Sequence, residues 1–308
     1  MSSTTAVHSS LGLGAIRPWI MALRPKTLSA AVVPVIVGSA LVKHEGLPVL
    51  WWVSVCALMA SVFIQIGTNL VNDAIDFKKG ADTANRIGPQ RVTQSGLLTY
   101  KQVMIGAGLC FAIAFAFGIP LVIQGGWPIV VIGLASLVLG YAYTGGPFPL
   151  AYLGLGDLFV ILFFGLIAVG GTFFLHTHAL TVSALVAGLQ VGCLATVLIA
   201  INNFRDSPED GKVGKRTLAV RFGPQFARLE ILILTAVPFL LGTYWARFGP
   251  LNAGLLPILG VPLARRILTG VFKNDPSPLY NKFLAMAGAL QLIFGMGLAL
   301  GLVSSLGL

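Results

Sequence analysis

Charge is what this sequence most lacks. Only 10% of its 308 residues are Asp, Glu, Lys or Arg, against about a quarter in soluble globular domains. That scarcity excludes a soluble enzyme, a disordered chain and a nucleic-acid-binding module. The net charge of +10 would suggest nucleic acid in a soluble protein, but here the charges are too few and too concentrated in loops. Cysteine is scarce as well. Cys56, Cys110 and Cys193 sit in apolar runs with no C-x-x-C pair, so they read as small apolar core residues. Of four histidines, only His176 and His178 lie close together. Two residues apart they do not share a helix face, and a short polar loop accounts for them.

What is present is apolar. Hydrophobic residues make up 56% of the chain and the mean hydropathy is +0.89. Stretches free of Asp, Glu, Lys and Arg run over 27–42, 46–72, 102–156, 158–204, 231–246, 248–264 and 283–308. A bilayer span takes about 20 apolar residues. The run 102–156 must therefore break, at Gly125-Gly126-Trp127-Pro128, and 158–204 must break at His176-Thr177-His178. The expectation is an all-α membrane bundle of nine transmembrane helices. Its 37 glycines suit close helix packing in lipid, and Gly297-xxx-Gly301 is placed to pack a neighbour.

Basic residues orient the bundle. With the N-terminus cytoplasmic and the C-terminus outside, 18 of the 20 Lys and Arg residues fall on the inner side. Only Lys43 and Arg247 fall outside. Residues 1–16 are Ser/Thr-rich without a basic n-region and read as a disordered tail. Residues 17–308 form one membrane domain.

Ten acidic residues remain, and six lie in two short segments. The first contains Asn69, Asn72, Asp73, Asp76 and Asp82, and its first four members fall on one helix face. The second contains Asn202, Asp206, Glu209 and Asp210, with Asn202, Asp206 and Asp210 four residues apart. Pro208 disfavours helix at Ser207, which would place Asp210 on a following turn with Ser207 as its N-cap. Asp157 reads as the N-cap of the fifth span. Grouped carboxylates repel unless a cation joins them, and Mg2+ binds through one or two carboxylates plus substrate phosphates. Lys and Arg just downstream are what a diphosphate needs besides metal. The pattern points to a metal–diphosphate site at the cytoplasmic face.

Four stretches carry a family resemblance: Leu23–Thr27, Asn72–Asp82, Tyr143–Leu150 with Gly154–Asp157, and Asn202–Asp206 through Gly214–Arg221. The first acidic segment resembles the NDxxD signature of the UbiA superfamily of intramembrane aromatic prenyltransferases, and Asp206 to Asp210 resembles its DxxxD signature. The closer likeness is to the 1,4-dihydroxy-2-naphthoate prenyltransferase branch, which the six-residue step from Asp76 to Asp82 fits. Ser207-Pro208-Glu209 departs from the usual linker between the second pair of aspartates.

The resemblance implies Mg2+-dependent transfer of a polyprenyl group from polyprenyl diphosphate to 1,4-dihydroxy-2-naphthoate with loss of CO2, in the bacterial plasma membrane. Asp73, Asp76, Asp206 and Asp210 would be metal ligands. Asn72, Lys78, Arg91, Asn202, Lys215 and Arg216 would bind the diphosphate. Arg24, Lys26 and Tyr143 would meet the acceptor. Tyr141, Tyr143, Phe163 and Phe164 are candidates to face an allyl cation. The alternatives are another ring acceptor, 4-hydroxybenzoate or homogentisate, and a secondary transporter. Two clusters at helix ends on one membrane side oppose the transporter, which binds near the midplane.

Overall fold

A computed structural model describes residues 13–82 and 87–304. Helices dominate, and no strand occurs among the described residues. In chain order they are α1 (Leu13–Leu23), α2 (Ser29–His44), α3 (Trp51–Lys78), α4 (Tyr100–Gly125) and α5 (Trp127–Ala142). Next come α6 (Gly156–Val160), a π-helical stretch over Ile161–Ile167, α7 (Ala168–Thr177) and α8 (Val182–Asp210). The chain closes with α9 (Leu218–Leu240), α10 (Gly242–Phe248), α11 (Leu251–Leu255), α12 (Val261–Lys273) and α13 (Tyr280–Val303). Most of the expected tail, and Arg86, lie outside the described residues.

Among the described residues, seven helical stretches are long and apolar enough to cross a bilayer, and an eighth counts if the bent pair α1–α2 is one span. Helix α5 has only 16 residues, about 24 Å at 1.5 Å per residue, against a hydrocarbon core of about 30 Å. On length and composition the described residues thus give seven or eight spans against the nine expected. Both expected breaks occur. Gly126 takes φ 69° between α4 and α5, and His178 takes φ 54° after α7.

Polar side chains mark several helix starts. Thr99 and Gln102 form a reciprocal capping box on α4, and Thr181 and Thr217 accept from Ala184 N and Val220 N at the starts of α8 and α9. Such caps satisfy amides that have no partner inside the helix. Asp157 differs from expectation: it lies inside α6, the cap position belongs to Leu155, and no side chain caps there.

Helix α8 is the axis of the bundle. Its Leu194, Val197, Ile201 and Phe204 join Val37 and Leu41 of α2, Ile231 of α9 and Phe294 of α13 in one buried core. Outer faces of α4 and α5 expose Leu109, Ile123, Leu134 and Val138, an apolar surface that lipid covers. Helix α8 also runs through Pro208 to Asp210, which corrects the expected break. A proline removes the N–H that the carbonyl four residues back would receive. Here that carbonyl, Phe204 O, accepts instead from Ser207 Oγ at 2.9 Å.

Close approach explains two glycine pairs. A Cβ on Gly192 would lie 2.7 Å from Ile161 O, and Gly165 meets the backbone of Gly188 and Gly192. Gly297 and Gly301 meet the backbone at Leu256–Pro257 and Asn252–Ala253, so the neighbour they pack is this chain's own α11 region.

Replacing Gly165 with Val is expected to destabilise the fold by about 1–3 kcal/mol through overpacking. Gly133→Ala, where nothing lies within 4 Å, is expected to cost nothing. Thermal unfolding of the two purified variants in detergent separates them.

Candidate active site

The C-terminal ends of α3 and α8 meet at a cavity of about 240 Å³. Its polar end is lined by Arg24, Asn69, Asn72, Arg91, Asn202, Asp206 and Lys215, and its apolar wall by Phe159, Phe163, Phe164, Leu198 and Ile199. Arg24 reaches this end from the bend between α1 and α2, where its backbone takes φ 52° and ψ 65°. A left-handed conformation costs a non-glycine residue about 1–2 kcal/mol, and such outliers gather at functional sites.

Asn72 organises the first cluster. Its Oδ1 accepts from Arg24 Nη2 at 2.8 Å and from Arg91 Nη2 at 2.7 Å. Its Nδ2 donates to Asp76 Oδ2 and Thr144 Oγ1, both at 3.0 Å. All four of its hydrogen bonds are therefore made. Asp76 also accepts from the Tyr152 hydroxyl at 2.9 Å and lies 3.7 Å from Arg91. Arg91 pairs with Asp82 at 3.2 Å, while its buried Nη1 has no hydrogen-bond partner. Asp73 is absent from the cavity wall. Its two oxygens accept from Val92 N at 3.2 Å and Thr93 N at 2.9 Å.

Arg205 organises the second cluster. Fully buried, it grips Asp206 with Nε at 2.7 Å and Nη2 at 2.8 Å. It also donates to Asn202 Oδ1 and to Asn281 Oδ1 of α13, each at 2.7 Å. Asn281 Nδ2 in turn donates to Ile87 O. Asp210 lies 3.4 Å from Lys215, and its buried Oδ2 has no hydrogen-bond partner.

Tyr152 bridges the clusters. Its hydroxyl holds Asp76, while Lys79 Nζ lies 4.3 Å and Lys215 Nζ 5.6 Å from its ring centroid. Burial first, then the Asp76 charge, raises the Tyr152 pKa, so the phenol stays protonated and donates. Tyr143, on the cavity wall, is raised mainly by burial and then by the Asp157 charge. Burial lowers the Lys79 pKa, against an opposing effect of Asp76. Lys79 Nζ donates to Thr144 O at 2.9 Å.

Of the residues expected in the site, Arg24, Asn72, Arg91, Tyr143, Asn202, Asp206 and Lys215 line the cavity. Asp76 and Asp210 stand directly behind, bonded to Asn72 and Lys215. Lys26, Lys78 and Arg216 are exposed and line no part of it; Lys78 lies over the Tyr100 ring at 5.7 Å. Phe163 and Phe164 lie on the wall, whereas Tyr141 does not. Sequence reasoning missed Arg205, Tyr152, Thr144 and Lys79. Arg205 was findable, because a basic residue between Asn202 and Asp206 at a buried helix end needs a partner there.

The donor set suits a hard cation. No group of three His, Cys, Asp or Glu side chains among the described residues closes on a common point. Asp76, with the Asn72 carboxamide beside it, and Asp210, with one orphan carboxylate oxygen, fit an ion that completes its shell with phosphate and water, as Mg2+ does.

Positively charged side chains around one end of an apolar intramembrane cavity suit a ligand with an anionic head and a hydrocarbon tail. Comparison with known proteins agrees. The chain matches the UbiA prenyltransferase family over residues 31–303. A 1,4-dihydroxy-2-naphthoate octaprenyltransferase of Haemophilus influenzae is 32% identical over 300 residues, 93% of this chain and 97% of that protein. A protein of the same name from Mycobacterium tuberculosis is 33% identical over 284 residues, 88% and 96% of the two chains. Among solved structures, an apo UbiA homologue from Aeropyrum pernix superposes with a TM-score of 0.68 at 15% identity, over 89% of this chain and 97% of its own. An Archaeoglobus fulgidus homologue bound to DMAPP and Mg2+ gives 0.61 at 17% identity, over 94% and 99%. At those identities the structures speak for the fold. The family match and these relatives, with the helical fold, define an integral membrane prenyltransferase. The chain belongs to the UbiA prenyltransferase family.

Replacing Arg205 with Met would leave Asp206 buried without its forked partner, a loss of about 3–5 kcal/mol for a broken buried pair. The expected outcome is a large fall in thermal midpoint, with Arg205→Lys recovering part of it.

Proposed function

We propose that this protein transfers a polyprenyl group from polyprenyl diphosphate to 1,4-dihydroxy-2-naphthoate, with loss of CO2, giving demethylmenaquinol for menaquinone biosynthesis. One observation carries the reading: a single cavity joins Arg24, Arg91 and Lys215 at one end to a wall of aromatic and aliphatic side chains. An anionic diphosphate and an apolar chain need those two surroundings in that order. The names of relatives 30–33% identical over most of the chain support the acceptor.

Arg91, Lys215, Asn72 and Asn202 bind the diphosphate, and guanidinium geometry suits its oxygens. Asp76, Asp206 and Asp210 hold Mg2+, which when bound neutralises charge growing on the leaving diphosphate. Phe159, Phe163 and Phe164 keep water from the allyl cation and offer it their ring faces. Arg24 pairs with the acceptor carboxylate, and Tyr143, protonated and buried on the same wall, faces the acceptor ring. The crowding of basic residues at the ends of the spans supports an N-terminus inside, a C-terminus outside and a cytoplasmic site in the bacterial plasma membrane.

Asp76→Asn and Asp210→Asn are each expected to cut turnover per folded molecule by about 100- to 1000-fold, from lost stabilisation of about 2.7–4 kcal/mol. The check is a prenyl-transfer assay on purified protein with naphthoate, 4-hydroxybenzoate and homogentisate acceptors. Product mass identifies the acceptor, and chelation is expected to stop turnover. Full turnover after exhaustive chelation overturns the metal assignment, and product from another ring overturns the acceptor.

A further inference from the structure

Asn72 and Asp73 are neighbours on α3, yet they grip one stretch of chain by different parts. Asn72 Oδ1 accepts from the guanidinium of Arg91 at 2.7 Å. Asp73 accepts from the backbone amides of the next two residues, Val92 at 3.2 Å and Thr93 at 2.9 Å. Asp73 and Arg91 are both buried, 2% and 5% exposed. Beyond Arg91 the chain turns back on itself. Ser95 N and Oγ both donate to Arg91 O, and Leu97 N and Leu98 N donate to Val92 O. The turn also packs Val92 and Leu98 against Leu70 and Ala74 of α3.

Both carboxylate oxygens of Asp73 are thus engaged by amides of residues that do not line the cavity. Bonds from amides to a carboxylate are about twice as strong as neutral ones, and burial strengthens them further. We infer that Asp73 is a positioning residue, which anchors the backbone beside Arg91 and so holds the guanidinium at the polar end of the cavity. It acts on the diphosphate through Arg91 and not by holding a metal. The inference rests on the proposed binding of a polyprenyl diphosphate at that end.

An amide in place of the Asp73 carboxylate would face one backbone N–H with its own NH2. Asp73→Asn, Arg91→Gln and the double variant are to be made in the full chain. KM for prenyl diphosphate, kcat and the Mg2+ concentration for half-activation are measured for each. Asp73→Asn is expected to raise KM about tenfold, the equivalent of one lost hydrogen bond, with the Mg2+ requirement unchanged. In the Arg91→Gln background it is expected to add little. A raised Mg2+ requirement makes Asp73 a ligand, and additive losses show that it does not act through Arg91; either result overturns the inference. Trypsin cleavage after Arg91, expected to quicken in Asp73→Asn, tests the anchor without any assay of transfer. Wild-type protein inactive with every prenyl diphosphate would sink the proposed function alone. If Asp73→Asn does not fold, Thr93→Pro removes one of the two amides from the other side. The same KM rise is expected there, and a wild-type KM would overturn the inference.

Discussion

A carboxylate taken out of water costs several kcal/mol unless charge and hydrogen bonds meet it, and this protein buries Asp73, Asp76, Asp82, Asp157, Asp206 and Asp210. Much of the architecture around the polar end of the cavity follows from meeting that cost. Arg91 answers Asp76 and Asp82, Arg205 answers Asp206, and Lys215 answers Asp210. Each cation comes from a different place: a loop, α8 itself, and the turn after α8. The partners tie loops to helices, so the polar end of the cavity is fixed by the same bonds that make its carboxylates tolerable.

Two backbone departures serve the same end. Left-handed φ at Arg24 turns the chain between α1 and α2 and brings a guanidinium to Asn72. A hydroxyl at Ser207 lets α8 continue past Pro208, which keeps Asp210 in helical register with Asp206. Without that continuation the second pair of aspartates would lose its common support.

Much of this was legible in the sequence. Charge-free runs and the Gly126 and His178 breaks give the helices, because lipid forces backbone polar groups to bond within the segment. Helical spacing brings Asn72 and Asp76 together. What the spacing could not show is the direction of Asp73, since its partners are backbone amides about 20 residues away and carry no side-chain signature. Lys78 and Lys79 are equivalent in sequence, yet one lies over Tyr100 and the other over Tyr152; a helix end turning through about 100° per residue decides between them. Propensity at Ser207-Pro208 predicts a break, and a local side-chain bond overrides it.

The Ile161–Ile167 stretch is π-helical and contributes Phe163 and Phe164 to the apolar wall of the cavity. A π-turn is an α-helix carrying more residues per turn than its length requires, so losing a single residue there would restore an ordinary helix. Everything on one side would then rotate by about 100° relative to the other, and Phe163 and Phe164 would leave the wall they share with Ala168. Length in this segment is therefore a means of evolutionary change distinct from substitution. One inserted or deleted codon can redraw the shape of the apolar wall while the polar end, built on α3 and α8, is left as it was.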